Sequence, residues 1–500
     1  MEFITTGDIC IEKNADSRRK VQLLLYIYYA KFILCLRMKP NSEPRVAHRY
    51  LEKAFHNTIA LMPFLAGKLI VQVPNAQNPA IGRLEIHIPA KLDRDAMPKL
   101  AFEDLTSTID YDDLMEAGLS EDELDGEKLL PAAYIPDFHA GADILVAQAS
   151  FVDGGLLLDI GMFHSVTDGS GLNTIMKIWA RECVELQSPE SGSPPLEILV
   201  DSFDHGLLRK LWLAEGNKPV PSEELDTSEE LWRLLGLNPA DLVQERFLPV
   251  APSAFRSADV PQMKTSIFYV SKESFAELKA AASLGDLTLG EDMNLSANDA
   301  LMALLWRAIM TARCPEGRPA NGDIQETTLD TTFDGRAHFS DSLPPSYLGN
   351  VILINTTRMP LLTLTSCSTT LGQIATEIRK SLNKITKERV HSAFAIASAI
   401  PDFTKLTFPF ATFEGAERCA TSLLQLPLFE LNFGNAFAND GRPESVRPPR
   451  REFDSICRRC MVLPLRTHGR FEVLISLVKN EMQRLERDPE FTKYAKFCCY

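Results

Sequence analysis

The segment Phe163-His164-Ser165-Val166-Thr167-Asp168-Gly169 sets a histidine four residues ahead of an Asp-Gly pair. A neutral imidazole takes up a proton near pH 7, so His164 is a candidate general base. Asp168 is suited to fixing the loop by pairing with an arginine from elsewhere in the chain, and Gly169 permits a tight backbone turn. The same residues also fit a satisfied core or surface histidine followed by a plain Asp-Gly turn, and the pattern alone leaves both readings open. Other chemistry has little support. The chain carries no GxSxG elbow, GxGxxG loop, P-loop or HExxH, which weakens hydrolase, nucleotide-binding and zinc-protease readings. Its ten cysteines are scattered, with only Cys457/Cys460 and Cys498/Cys499 close together. One CxxC without a second pair does not make a zinc site, so no metal is expected and the thiols are read as reduced.

The elements around His164 follow from hydrophobic patterning. Ile144–Val152 and Leu156–Phe163 are apolar runs separated by Asp153-Gly154-Gly155, which predicts a β-hairpin. From Leu172 to Leu186, Leu172, Ile175, Met176, Trp179 and Cys183 fall on one helical face, with Ser170 as the expected cap. His164 therefore belongs on a loop between a buried strand and a helix, where scaffolds commonly present reactive groups. Arg45–Met62 predicts a helix stopped by Pro63, and Leu84–Ile88 a strand. Further on, Thr265–Val270 and Val351–Thr356 read as strands, and Ser296–Thr311 and Leu371–Ile385 as helices.

These elements define a mixed α/β chain of 500 residues, long enough for two or three domains at roughly 150–250 residues each. Pro194-Pro195, Pro219, Pro221 and the acidic cluster around Glu223–Glu230 mark the weakest organisation. We read 1–215 as an N-terminal domain, 216–260 as a linker and 261–500 as a C-terminal domain. The linker holds a short helix, its capping box Thr227/Glu230 and its end at Gly236. Lys plus Arg is 52 against 67 Asp plus Glu, a net charge of −15, which argues against nucleic acid as the main partner. No basic segment followed by an apolar stretch opens the sequence, and Val21–Leu36 is interrupted by Lys31. Neither a signal peptide nor a membrane span is expected, and the expected location is the cytoplasm.

The segments bearing these residues resemble those of the BAHD-type acyl-CoA-dependent acyltransferases, especially the fungal branch similar to trichothecene O-acetyltransferases. Beside Leu157–Gly171, Pro63-Phe64-Leu65-Ala66-Gly67-Lys68-Leu69 resembles that family's PFLAGRL signature. Leu295–Leu301 resembles its second-domain opening helix. Asp334-Gly335-Arg336 with Pro344–Asn350 resembles its DGR…PP-Y-F-G-N segment. Thr421–Leu428 and Asn432-Phe433-Gly434 resemble TSW…LP…DFGWG, and Met461–Pro464 to Leu485 resembles the final strand and helix. The departures are Phe163 in place of a first His, Leu423 in place of Trp, and Asn432-Phe433-Gly434-Asn435-Ala436 in place of DFGWG.

The resemblance implies two chloramphenicol-acetyltransferase-like domains, each a mixed sheet flanked by helices, with the active-site channel at their interface. It implies transfer of an acyl group, acetyl by preference, from acyl-CoA to a hydroxyl of a small specialised metabolite. His164 would be the base, without a covalent acyl-enzyme or bound cofactor, in a monomer. Thr421 becomes the candidate oxyanion donor and Leu423 a candidate for the acyl pocket. Arg336 is open to three roles: partner of Asp168, ligand of a CoA phosphate, or solvated loop residue. Ser296 is a candidate CoA contact as well as a natural N-cap. The eight arginines between Arg442 and Arg470 could draw CoA phosphates or form a solvated basic loop. The alternatives are an N-acyltransferase or amide-forming condensation domain and a ligand-binding relative without turnover.

Overall fold

The computed structural model describes residues 29–75, 79–93, 97–120, 140–187, 200–221, 228–238, 263–284, 294–315, 325–403, 417–449, 458–466 and 468–499, with single positions between them. The predicted hairpin is present as β6 (Leu145–Val152) and β7 (Gly155–Phe163), paired antiparallel from Leu145↔Met162 to Val152↔Gly155. Strand β7 is the centre of a five-stranded sheet. It lies between β6 and β1 (Tyr29–Arg37), with β4 (Leu100–Asp104) beyond β6 and β12 (Ser445–Arg447) beyond β1.

Alternation along β7 gives that sheet two unlike faces. Leu156, Leu158, Ile160 and Met162 belong to the large hydrophobic core. That core also contains one stripe of α1 (Pro44–Leu61), with Leu51, Phe55 and Ile59, and one of α3 (Gly169–Gln187), with Leu172, Ile175 and Trp179. Phe55 and Trp179 stack at 4.9 Å, and the Trp179 indole N–H donates to Leu51 O. A short helix α2 (Tyr111–Glu116) contributes Tyr111 and Leu114 to a small core under the opposite face. That face also buries Gln148, Ser150 and Asp159. Burial pushes the Asp159 carboxyl up to about 8, against the pull of Lys31.

A seven-stranded mixed sheet lies C-terminal in the chain. Its order is β10 (Ile352–Pro360), β9 (Glu326–Asp334), β11 (Glu417–Ser422), β13 (Cys460–Val462), β14 (Phe471–Val478), β8 (Met263–Val270) and β15 (Ala495–Cys499). Its core is filled by α4 (Ala297–Arg313), with Leu301, Leu304, Leu305 and Trp306, and α5 (Leu371–Asn383), with Ile374 and Ile378. Both helices start in full capping boxes, Ser296/Asp299 and Thr370/Gln373. Strands β2 (Lys68–Val71), β3 (Leu84–His87) and β5 (Ala142–Asp143) form a small third sheet. The mixed α/β architecture expected from the sequence is borne out. Within the linker range, a helix spans Glu229–Leu234 and its N-cap is Ser228; Thr227 and residues 239–262 lie outside the described residues.

The two large sheets are stitched together by one short strand. β12 comes from the C-terminal half of the chain yet pairs with β1 through Ile33↔Arg447, Leu34↔Val446 and Cys35↔Ser445. Its Arg447 Nη1 then donates to Glu472 Oε2 at 2.6 Å, on β14 of the other sheet, and Arg466 Nη2 reaches both Glu472 oxygens at 3.1 Å. The basic stretch from Arg442 to Arg470 is thus not uniform. Arg447 is 2% exposed and Arg458 is turned onto Glu481, whereas Arg442 and Arg470 are exposed, and Arg450 and Arg451 lie outside the described residues.

Burial by itself would raise the Glu472 carboxyl, but Arg447 and Arg466 override it and hold it at about 2. A carboxyl depressed this far below an unfolded value near 4.3 contributes roughly 3 kcal/mol at neutral pH. That contribution is complete above about pH 4.3 and is lost as pH falls towards 2. Glu472→Gln should therefore melt well below wild type at pH 7, with the gap closing between about pH 4 and 2, as read by thermal denaturation across a pH series.

Candidate active site

β7 ends at Phe163, and Phe163 N–H donates to Ile144 O at 2.9 Å, pinning the strand end. The chain then turns through His164, Ser165 and Val166 into α3, with Val166 N–H donating to Phe163 O. Ser165 to Asp168 are all buried, whereas His164 is half-buried. The histidine is thus the accessible member of a sealed loop.

Asp168, not Ser170, caps α3. Its Oδ1 accepts the Gly171 N–H at 3.0 Å, and its main-chain oxygen accepts Leu172 N–H at 2.8 Å. Ser170 lies inside the first turn, and its hydroxyl donates to Asp334 Oδ2 instead. The helix begins earlier than its apolar stripe because the stripe only registers residues facing the core. Gly171 is required by crowding. A Cβ there would stand 2.1 Å from Thr167 Oγ1 and 2.5 Å from Leu348 O.

The remaining lone pairs of Asp168 are taken by the C-terminal half of the chain. Arg336 Nη1 donates to Oδ2 at 2.9 Å, Arg336 Nη2 to Oδ1 at 3.0 Å, and Val351 N–H to Oδ2 at 2.9 Å. A carboxylate offers about four acceptor sites, and here all are filled. Arg336 is similarly committed. Nη1 also reaches Asp334 Oδ1, Nη2 reaches Tyr347 O and Gly349 O, and Nε donates to Tyr347 O. Burial works against the guanidinium charge, but Asp168 and Asp334 outweigh it and hold Arg336 above the usual arginine range. Of the three roles open to Arg336, the geometry contains the ion pair with Asp168. The side chain is neither solvated nor left with a donor for a CoA phosphate.

Two further bonds tie the His164 loop to the segment after Arg336. Thr167 Oγ1 donates to Leu348 O at 2.6 Å. Asn350 Nδ2 donates to His164 O at 2.8 Å and lies 3.4 Å from His164 Nδ1, while its Oδ1 accepts the Ile352 N–H. Asn350 is fully buried. The sequence alone assigns Asn350 no role; its one signal there is an amide placed just ahead of an apolar strand.

The Thr421 segment approaches from another side. A Cβ on Gly169 would lie 3.1 Å from Leu426 Cδ1, so the loop after β11 touches the start of α3. Thr421 is half-buried at the end of β11, paired with Met461, and Leu423 is buried in the large core. Ser296 is placed otherwise. Its hydroxyl accepts from Asp299 N–H and Arg379 Nη2 at the start of α4, as a capping residue. The altered Asn432-Phe433-Gly434 segment is well anchored. Phe433 packs edge-on to Trp179 of α3, Asn432 Oδ1 accepts the Gly434 N–H, and Gln187 bonds Phe433 O and Asn435 N–H. Among the described residues no cluster of His, Cys, Asp or Glu could hold a metal ion, and no helix is long and apolar enough to cross a membrane.

Two family models match the chain that carries this histidine and its Asp–Arg pair. Residues 214–492 match the Transferase family, and residues 28–183 match the trichothecene 3-O-acetyltransferase-like N-terminal domain. The chain belongs to this transferase family, as its resemblance to BAHD-type enzymes implied. It is 26% identical over 490 residues to the eremophilane O-acetyltransferase ORF8 of Penicillium roqueforti, covering 95% of this chain and 97% of that one. It is 29% identical over 479 residues to the isocyanide synthase-NRPS hybrid crmA of Aspergillus fumigatus, where the match covers 90% of this chain and spans 29% of that protein's length. The fold is that of F. sporotrichioides TRI101 complexed with coenzyme A and T-2, with TM-score 0.70, 22% identity and coverage of 95% and 97%.

Breaking half of a buried ion pair costs roughly 3–5 kcal/mol. Asp168→Ala should lower stability by that order and reduce activity with it, while Asp168→Asn, which keeps an acceptor for Arg336 and the Gly171 N–H, should lose less of both. Melting curves and turnover for the two variants decide between an organising and a chemical role. Equal rate losses at wild-type melting temperature would assign Asp168 to the chemistry.

Proposed function

We propose that this protein transfers an acyl group, acetyl by preference, from acyl-CoA to a hydroxyl group of a small specialised metabolite, with His164 as general base. The observation that carries the reading is the half-buried His164 on a loop otherwise buried and tied down through Asp168, Thr167 and Asn350, in a chain of this transferase family. Support for the substrate classes comes from relatives named as O-acetyltransferases and from TRI101, crystallised with coenzyme A and T-2. His164 takes the acceptor's hydroxyl proton on the ring nitrogen turned away from Asn350, as the oxygen attacks the thioester carbonyl. Thr421 donates to the developing oxyanion. Collapse breaks the carbon–sulfur bond, and the imidazolium returns the proton to the CoA thiolate. Leu423 borders the acyl pocket, and Asp168, Gly169 and Arg336 hold the loop. We assign Ser296 a place at the CoA entrance only through its helix terminus, because its hydroxyl is already engaged. The described cysteines are free thiols, which supports the proposed cytoplasmic location; the enzyme is proposed to act as a monomer.

His164→Ala should reduce acyl transfer by about 10²–10⁴-fold without changing the melting temperature. The measurement is CoA release from acetyl-CoA with a panel of alcohols, followed by mass spectrometry of the product. Near-wild-type turnover by the folded variant would remove His164 from the mechanism, and products formed only with amines would redirect the reading to amide formation. Thr421→Val keeps a branched side chain but no donor, and should cost about 10²-fold in kcat with a small change in KM.

A further inference from the structure

Strand β10 is the outer strand of its sheet, and among the described residues no other strand pairs with its free edge. Ile354 to Arg358 of this strand form one wall of a groove of about 480 Å³. The helix Glu229–Leu234 and the C-terminal end of α5 form the others, with Lys384 and Arg389 beyond α5. An edge strand offers unpaired N–H and C=O groups to an extended ligand.

The groove is basic within an acidic chain. Arg233, Arg358, Lys380, Lys384 and Arg389 line it, against the two acids Glu230 and Glu377. Glu230 takes Arg389, Glu377 takes Lys380, and Glu229 takes Arg358 and the Nε of Arg233. Lys384 forms no ion pair with a described residue. Arg233 Nη1 and Arg389 Nε are buried without a hydrogen-bond partner, Nη1 lying 3.8 Å from Asp330 Oδ2. Protein interiors rarely leave such donors unmatched, so the groove is short of acceptors. The excess charge is felt at Glu230, whose carboxyl Arg389, Lys384 and Arg358 hold below the usual range against burial.

The same strand leads to the histidine. Asn350 donates to His164 O, and β10 begins two residues later at Ile352. From Ile352 to Thr356 the strand rises roughly 13 Å. In CoA about thirteen bonds separate the sulfur from the nearer phosphorus, a reach of roughly four extended residues. A thioester placed at His164, with its chain along the edge of β10, therefore brings its phosphates between Lys380, Lys384 and Arg389.

We propose that this groove receives the phosphate-bearing end of the acyl-CoA donor, with Lys384, Lys380 and Arg389 as its counter-charges. The assignment rests on the acyl-transfer reading. The test gives the full chain two donors, acetyl-CoA and S-acetyl-N-acetylcysteamine, which keeps the thioester and one amide but no phosphate. Lys384→Glu, on an exposed side chain, should lower the preference for acetyl-CoA, taken as the ratio of the two kcat/KM values, by about 3–10-fold. Lys384→Arg should keep that preference, and added salt should erode it in the wild type. Adenosine 3′,5′-bisphosphate, the same phosphate chemistry in free form, should bind the wild type in calorimetry and bind Lys384→Glu several-fold more weakly. A ratio unmoved by Lys384→Glu at unchanged circular dichroism, or equal binding of the bisphosphate by the two proteins, would overturn the groove and leave acyl transfer standing. Absence of turnover with both donors in the wild type would refute the acyl-transfer reading instead, and the calorimetry would then decide the groove by itself.

Discussion

The pair between Asp168 and Arg336 joins residues 168 positions apart in a place that water does not reach. Two charges there are tolerable only if every donor and acceptor is matched, since unpaired ions in a protein interior cost several kcal/mol each. The match is complete. Asp168 receives two guanidinium bonds and two main-chain N–H bonds, and Arg336 spends its other donors on Asp334 and on the carbonyls of Tyr347 and Gly349. Because those carbonyls belong to the same segment as Leu348 and Asn350, the pair also fixes the groups that hold Thr167 and His164. The position of the histidine is therefore set by residues 336–351 at least as much as by its own strand.

That dependence explains the stitching elsewhere. If the two large sheets could slide, the Asp168 loop and the Arg336 segment would separate. β12 prevents this by adding a C-terminal strand to the N-terminal sheet, and Arg447 ties that strand back to Glu472 on the other sheet. Leu426 against Gly169, and Phe433 against Trp179, add apolar contacts at the start and in the middle of α3. The segment whose sequence departs most from the family pattern keeps this packing, because Asn432 retains a side-chain oxygen to accept the Gly434 N–H.

Local features were legible in the sequence because their causes are local. The β6–β7 hairpin follows from alternating runs around Asp153-Gly154-Gly155, and α4 begins at Ser296 because a serine there can accept the Asp299 N–H. What escaped depends on distant partners. Arg447 reads as one of eight arginines in a basic stretch until Glu472, on another strand, makes it a buried partner. β12 is three residues long and carries no alternation by which a strand is found. Ser170 reads as a cap because the apolar stripe starts at Leu172, and nothing in the linear pattern shows that the Asp168 carboxylate caps the helix as well as pairing with an arginine. Arg336 kept three readings because nothing linear distinguishes a guanidinium that is paired from one that is solvated.

The filled coordination of Asp168 also limits what His164 can be. In a Ser-His-Asp arrangement a carboxylate bonds the imidazole and stabilises the imidazolium formed during reaction. Asp168 has no acceptor site to spare, and the neutral amide of Asn350 lies 3.4 Å from Nδ1 of the ring. The carboxylate of the His164 loop is therefore spent on holding the loop and the Arg336 segment together, and it cannot serve the imidazole as the carboxylate of a Ser-His-Asp triad does. The proposed reaction makes a modest demand on its base, because a thioester is already an activated electrophile and a leaving thiolate needs little protonation to depart. An ordinary amide or ester, whose leaving groups demand more help, would ask for more. The arrangement around Asp168 and the proposed acyl thioester donor fit one another in this sense, through where the lone pairs of Asp168 are spent.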